Sequence, residues 1–593
     1  MSAKAAIEAV FTKPIADTLW TGSTLHVYPA TPQDFSVGSV LPAVLYMMRT
    51  GHRRGKGEFQ EHYSPQAGKK ATIYLVAYKL SLQEDRFEGF NSDVARQILG
   101  DLLLCDALEN KKHMEGHHLE VLRAFPVHFF SSWLDLPGSV ANLRFVPEML
   151  VALLAQQDQG MELAASPHGP FSVGQAPENN LLFKIFGKGV RFGDNPADLS
   201  CDSPDENTNY SVEEWLMVQL GTGCEQAPEK LRRTSRGRPE IQNLKPLAAG
   251  ASKTFSEDLV GFLTSFGETI PRRALTPMME CLIGLGIWHT FLSSLKAATA
   301  WEATGKVPTD DEQQLVGVFV DASSGAEPVL RDISEHSMSE ALRFLDEAAV
   351  AMAVVRIMDA ACRHSPMLNH AAPPAGSIED WLNLLGLVRA GSHPASQFVA
   401  YGLGEKVNQL INQLRDAPDV GAALSVLESA VSQKDPARAL AEALCTLIPE
   451  KHLGSKYRQF MDCAAMINEP HGLLASRKVQ RTLSSGKKRR FELRSARLSN
   501  TLLETLVHIH LAALGARLSF REFLSTLRER YGLWIDEAPP GVNAARADLL
   551  RNRNILEHRL RDLGLLVGVN DAESMKRLRP RYRNNSKAAS PTA

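Results

Sequence analysis

Met338–Cys362, MSEALRFLDEAAVAMAVVRIMDAAC, carries its apolar residues at the period of a helix that buries one face, and it is one of a series. From Ser256 to Pro449 the same period recurs between short Pro/Gly connections. Ser256, followed by Glu257 and Asp258, reads as the opening of one helix, and Pro277 as the first turn of a long one reaching about Thr304. Further helices are expected near Ile378–Arg389, Gln397–Arg415, Val420–Gln433 and Ala437–Ile448. The lengths suit a helical bundle or an irregular solenoid, with no fixed repeat. Trp288, Phe291, Trp301 and Trp381 fall in apolar helical segments and are expected in the core. Gln314–Ser323, QLVGVFVDAS, reads equally as a buried strand or a helix start.

The fold class expected is mainly α, with an α+β amino-terminal region and a carboxy-terminal winged helix. Residues 1–159 mix the strand-like Thr72–Tyr78 with helical stretches at Ser92–Leu108 and Asn142–Gln156. Residues 160–255 form an irregular insertion, where NLLFKIF at Asn180–Phe186 allows a short strand and Lys230–Pro246 forms a basic loop. A helical unit at 256–470, a basic linker at 471–498, a winged-helix-like module at 499–583 and a disordered tail at 584–593 complete the chain.

A length of 593 residues allows several domains, and 44% hydrophobic with 22% charged residues excludes a disordered or collagen-like chain. The apolar runs are interrupted before the roughly 18 residues of a spanning helix, and Met1–Lys13 has no apolar core of a signal peptide. A soluble cytoplasmic protein without a membrane partner is expected. Seven cysteines without a CxxC pair argue for buried thiols rather than disulfides or zinc.

The formal net charge of −2 conceals an asymmetry. From Arg477 to the end there are 24 basic and 11 acidic residues, net +13, which leaves 41 basic and 56 acidic residues before it, net −15. A basic end on an acidic body is the footprint of a polyanion-binding protein or of a solubilising tail. Arg477, Lys478, Arg481, Lys487, Lys488, Arg489, Arg490, Arg494 and Arg497 lead in, and Arg577, Arg579, Arg581, Arg583 and Lys587 close the chain.

Between these clusters lie three helical stretches, Asn500–Leu514, Ser519–Tyr531 and Ala544–Leu563. Ser519 and Glu522 form a capping box, Gly532 ends that helix, Gly564 suits a left-handed cap of the third, and candidate strands follow at Leu565–Val569 and Leu578–Tyr582. Three helices and a hairpin is the order of a winged helix. Its third helix carries Arg551, Arg553, Asn554, Arg559 and Arg561 among Leu549, Leu550, Ile555, Leu556, Leu560 and Leu563. That pattern suits groove contact by Arg551, Arg553, Asn554 and Arg559, with Lys576, Arg577, Arg579 and Arg581 on the wing and Lys487, Lys488, Arg489 and Arg490 in the lead-in meeting phosphates. A winged helix used for protein assembly is the alternative. A fragment from about Arg477 to Arg583 is expected to fold alone.

With Asn552, Leu556, Arg559, Leu560, Leu563, Gly564, Asp571, Met575, Leu578 and Arg581 as punctuation, this stretch resembles winged-helix tails on large accessory proteins of bacterial phage-defence islands. The whole chain resembles the non-catalytic subunits that accompany a methyltransferase and an ATPase in methylation-associated defence systems. Duplex DNA and other proteins of a multi-subunit defence complex are the expected partners, and the resemblance carries over no active site.

The chemical motifs are sparse. The Gly-punctuated loop around Arg53, Arg54 and Lys56 is a phosphate-binding candidate or a solvated turn, and satisfies neither GxxxxGK[ST] nor GxGxxG. His113, His117, His118 and His128 lack the HExxH arrangement. Asp321, Ser323, Ser324, Glu335 and His336 mimic a hydrolase set without a GxSxG elbow and equally suit a polar turn. No cofactor, metal or catalytic residue is expected. The rival readings are an enzyme with an unrecognised nuclease or nucleotide-hydrolysing site, and a pure scaffold.

Overall fold

The computed structural model describes residues 3–11, 27–32, 34–50, 78, 82, 88–103, 107–109, 121–124, 145–155, 181–187, 190–192, 199–201, 212, 214–216, 245–309, 315–363, 365–372, 377–415, 420–430, 435–447, 453–482, 488–514, 518–568 and 576–585. The chain is mainly helical with a small mixed sheet. Toward the amino terminus lie α1 (Ala3–Val10), α2 (Val40–Thr50), α3 (Asp93–Leu103), β1 (Ala107–Glu109), β2 (Val121–Ala124), α4 (Val146–Ala155), α5 (Leu181–Phe186), β3 (Val190–Phe192) and β4 (Leu199–Cys201). Within Asn180–Phe186, the run that allowed a short strand, Leu181–Phe186 is the helix α5, with Leu182, Phe183, Ile185 and Phe186 all buried. An apolar run this short has no periodicity to separate the two states.

The centre is α6 (Ala249–Phe266), α7 (Arg272–Thr304), β5 (Val318–Asp321) and α8 (Pro328–Cys362). α6 starts before Ser256, which is buried and donates its hydroxyl to the Leu153 carbonyl at 2.8 Å. α7 starts at Arg272, so Pro277 lies inside it rather than in its first turn. Among the described helices α7 alone is long and apolar enough to cross a membrane, and that apolar window is wholly buried. Trp288, Phe291, Trp301 and Trp381 are all core residues. The Trp301 indole donates to the Leu382 carbonyl at 2.7 Å, and that of Trp381 to Asp359 at 3.0 Å.

The helix expected from Met338 begins ten residues earlier, at Pro328, whose fixed φ suits a first turn. Polar residues hid the extension, because they bond strand backbone instead of solvent. Ser334 donates to the Phe319 carbonyl at 2.8 Å and accepts from the Ala496 amide at 2.9 Å, while Ser337 accepts from the Phe319 amide at 2.8 Å.

There follow α9 (Ile378–Arg389), α10 (Ser396–Leu414), α11 (Gly421–Ala430), α12 (Pro436–Leu447) and α13 (Leu453–Ala464). The segment expected as a basic linker is instead a long antiparallel hairpin, β6 (Leu474–Thr482) and β7 (Lys488–Arg497), paired from Leu474↔Ala496 to Thr482↔Lys488. Its density of cations concealed the strand alternation. Last come α14 (Asn500–Leu514), α15 (Phe520–Tyr531), β8 (Leu533–Trp534), α16 (Arg546–Asp562), β9 (Leu566–Val567) and β10 (Arg577–Leu578).

β5 settles the ambiguity of Gln314–Ser323: it is a strand, buried at every position, in a sheet of order β6-β7-β5-β8. Both of its neighbours run parallel to it, β7 through Val320↔Ala496 and β8 through Val318↔Leu533. Central parallel strands are covered on both faces, which explains the unbroken run VFVD. One contiguous apolar cluster extends from Ala6 to Leu578.

Candidate nucleic-acid interface

The carboxy-terminal elements form where their capping chemistry places them. Ser519 caps α15 by accepting from the Glu522 amide, and the Glu522 carboxylate accepts from the Ser519 amide in return. Gly532 (φ 69°) and Gly564 (φ 70°) sit in the left-handed conformation that any other residue would strain to adopt. β9 and β10 pair antiparallel through Leu566↔Leu578 and Val567↔Arg577.

The inward face of α16 is anchored in the central sheet. Asn552 is fully buried; its Oδ1 accepts from the Ala322 amide at 2.8 Å and its Nδ2 donates to the Val320 and Ile535 carbonyls, each at 2.9 Å. Arg559 donates to the Ala322 carbonyl at 2.8 Å, the Leu498 carbonyl at 2.6 Å and Asn500 at 2.7 Å. Burial pulls its guanidinium below the ordinary range, and the nearby Asp321 partly offsets this. Lys576 is only 8% exposed and pairs with Glu557 at 2.8 Å. Burial by itself raises the Glu557 carboxyl, yet Lys576 and Arg561 together hold it below its usual value. Arg559 and Lys576, both read from sequence as nucleic-acid ligands, are therefore committed to internal bonds.

The outward face of α16 is different. Arg546, Leu550, Arg551, Asn554, His558 and Arg561 are exposed at helical spacing, a stripe in which Arg546 and His558 join residues singled out from sequence. Arg551 reaches Glu327 at 3.4 Å across an exposed gap, and the Arg553 guanidinium lies 5.7 Å from the Phe520 ring centre. Arg577, Arg579 and Arg581 are exposed on and after β10, with Arg579 donating to the Gly564 carbonyl at 2.8 Å and Arg581 lying 3.5 Å from Glu504. His508 positions this segment: its Nε2 accepts from the Arg581 amide at 3.1 Å while Nδ1 lies 2.7 Å from the Glu504 carbonyl. Burial, with Arg581 adding to it against the Glu504 bond, pulls this imidazole down to about 4, so it is neutral at pH 7 and Nδ1 carries the proton. Thr269 donates to the Arg583 carbonyl at 2.8 Å, and Asn585 to Glu268 at 3.4 Å. Residues to Asn585, the first two of the expected tail included, thus lie on the α6–α7 turn.

The hairpin divides into two halves. At its base Arg477 makes a two-pronged pair with Glu335 of α8 at 2.8 and 2.6 Å, and Arg494 one with Asp462 of α13 at 2.7 and 2.6 Å. Beyond the Val479↔Phe491 pair, Gln480, Thr482, Lys488, Arg489 and Arg490 are exposed. Among these described residues no cation meets a carboxylate; Arg489 lies 5.4 Å from the Phe491 ring centre.

Arg53, Arg54, Lys56, Lys487, the four histidines from His113 to His128, and all but the last two residues of Lys230–Pro246 lie outside the described residues, as does Thr72–Tyr78 apart from Tyr78. Asp321 accepts from the Ser323 amide and hydroxyl at 2.8 and 2.6 Å and from the Gly325 amide at 2.7 Å, which makes VDASSG the polar turn between β5 and α8. Glu335 is held by Arg477. Among the described residues no group of His, Cys, Asp and Glu is spaced to hold a metal ion.

Sequence reasoning missed a buried polar cluster beneath α15. Arg530 pairs with Asp258 at 2.7 Å, and the Tyr531 hydroxyl donates to the same carboxylate at 2.6 Å. His289 and His510 pack edge-on and tilted against Tyr531, and burial, aided by the charge of Arg530, pulls them to about 4 and about 3. His289 and Arg530 also line a cavity of about 410 Å³ with Thr254, Ser293 and Thr526.

Comparison with curated proteins finds no match, and neither does comparison with solved structures. A family model for methylation-associated defense system protein MAD7 matches residues 27–582, which takes in the core, the hairpin and the α14–β10 elements alike. The chain therefore belongs to the MAD7 family of methylation-associated defence-system proteins.

Proposed function

We propose that the chain is a non-catalytic, DNA-associated subunit of a multi-component anti-phage complex acting in the cytoplasm. α14, α15, α16 and the β9–β10 pair serve as a winged-helix-like module whose outward α16 stripe faces duplex DNA. The wing residues Arg577, Arg579 and Arg581 meet phosphates, and the hairpin cations Lys488, Arg489 and Arg490 supply further contacts. The carrying observation is that these cations are exposed while their neighbours Arg559 and Lys576 are internally bonded. Exposed cations that neutralise phosphates release condensed counterions, so binding strengthens steeply as salt falls.

The acidic body, net −15 before Arg477, serves as the face toward partner proteins. The exposed apolar residues Leu550 on the α16 stripe and Val567 on β9 favour a second use of the same module, protein assembly. Fluorescence anisotropy of the full chain on a labelled duplex tests the reading. Affinity falling by orders of magnitude between about 50 and 200 mM salt supports it. A chain that shows no salt-sensitive binding acts as a scaffold instead.

A further inference from the structure

We infer that the distal half of the β6–β7 hairpin is a two-stranded ribbon that enters the major groove of B-form DNA, so that the chain separates duplex DNA from duplex RNA. The inference rests on the DNA-associated reading above and specifies its nucleic acid.

The first support is reach. β5 and β7 run parallel with Val320 opposite Ala496, so Val318, the first residue of β5, lies level with Arg494. The six residues Lys488–Leu493 therefore project past the start of β5, about 20 Å at strand rise. Asn552 ties α16 to the other end of β5, at Val320 and Ala322. The hairpin tip and the α16 stripe thus belong to opposite ends of the sheet.

The second support is stiffness at the base. A lone two-stranded hairpin is marginal in water. Here Arg477 clamps one face to α8 through Glu335 and Arg494 clamps the other to α13 through Asp462, while β7 pairs with β5. At the root of β6 the outward edge is closed as well, since the Ser476 amide donates to Asn468 at 2.9 Å. The ribbon leaves the body in a fixed direction.

The third support is the chemistry of its faces. Residues opposite in an antiparallel register share a face, which puts Lys478 opposite Glu492, Gln480 opposite Arg490 and Thr482 opposite Lys488 on one side. Beyond the Lys478↔Glu492 pair that side presents Gln480, Thr482, Arg490 and Lys488, Gln and Thr among cations, the residue types that bond base edges and phosphates. The other side carries Val479 opposite Phe491 and Arg481 opposite Arg489, with the Arg489 guanidinium over the Phe491 ring. The major groove of B-form DNA, about 12 Å wide, admits a two-stranded ribbon. The major groove of A-form RNA is too deep and narrow for one.

The test measures anisotropy of the full chain on DNA and RNA duplexes of the same sequence. It compares the native protein with the triple variant Lys488→Ala, Arg489→Ala, Arg490→Ala and with the wing variant Arg577→Ala, Arg579→Ala, Arg581→Ala. The native chain is expected to bind DNA at least about tenfold tighter than RNA, the scale of one good base-edge contact. The hairpin variant, with an unchanged melting curve, should lose that preference, and the wing variant should weaken both duplexes while keeping it. Methyl green, a major-groove ligand, should displace the protein where netropsin, a minor-groove ligand, does not. Equal native affinity for the two duplexes, a hairpin variant that keeps the preference, or displacement by netropsin alone overturns the ribbon while leaving DNA association standing. A native chain that binds neither duplex overturns both.

Discussion

Two basic segments of similar composition do different things in this fold. In the α16–β10 segment the cations are divided: Arg559 and Lys576 are bonded inside, and the α16 stripe with Arg577, Arg579 and Arg581 faces outward. In the hairpin the division runs along the strands, with Arg477 and Arg494 bound to carboxylates at the base and Lys488, Arg489 and Arg490 open to solvent at the tip. The difference is one of internal partners. A cation taken into the protein needs a carboxylate or several carbonyls, and once it has them it is no longer available to a phosphate. Net charge by segment therefore overstates the number of open cations, and internal bonding sorts them.

The sharpest way to break the comparison is at Asn552. Replacing it by Ala leaves the Ala322 amide and the Val320 and Ile535 carbonyls buried without their partner, at a cost of roughly 3 kcal/mol or more. Urea denaturation of the full chain should show that loss, whereas the triple tip variant should leave the midpoint unmoved. The same bonds predict that a fragment beginning near Arg477 does not fold alone, because β7 and β8 both pair with β5 from the body. A fragment with native-like dispersion in its NMR spectrum would contradict this.

Acid gives the next effect. His289 and His508 are held near 4 and His510 near 3 in the fold, below the ordinary unfolded value of about 6.5. The unfolded chain then binds more protons. The stability they contribute is complete above about pH 6.5 and is lost as pH falls toward about 4. Near pH 5 each contributes a loss of about 2 kcal/mol, and thermal melts at pH 7 and pH 5 should differ accordingly. His508→Gln should narrow the difference. A pH-independent melt would mean that the rings are protonated in the fold.

Smaller effects sharpen the division within α16. Lys576→Met leaves Glu557 with Arg561 alone, and stability should fall by about 1 to 3 kcal/mol with little change in DNA affinity. Ser519→Ala removes half of the capping box and should cost about 1 kcal/mol.

What was legible in the sequence was local. The Ser519/Glu522 box, the glycine caps at Gly532 and Gly564 and the bounds of Ile378–Arg389 depend on neighbours within one turn, and they stand as read. What failed depended on distant partners. Ser334 and Ser337 look like solvent-facing residues until β5 and β7 arrive to take their hydroxyls, and the hairpin looks like a linker because its ladder partners are hidden among cations. The α16 candidates were visible as a set. Which of them face outward was not, since that depends on Asn552 and Arg559 reaching a strand more than two hundred residues earlier.

The central claim is that exposed cations, rather than basic residues in general, form the DNA surface. Salt-dependence slopes of full-chain binding to duplex DNA test it most directly, comparing the exposed set Lys488→Ala, Arg489→Ala, Arg490→Ala with the interior Lys576→Met. The exposed set should flatten the slope by roughly one unit for each phosphate that is no longer neutralised, and the interior change should leave the slope untouched. Equal flattening by both, or none from the tip, would contradict it.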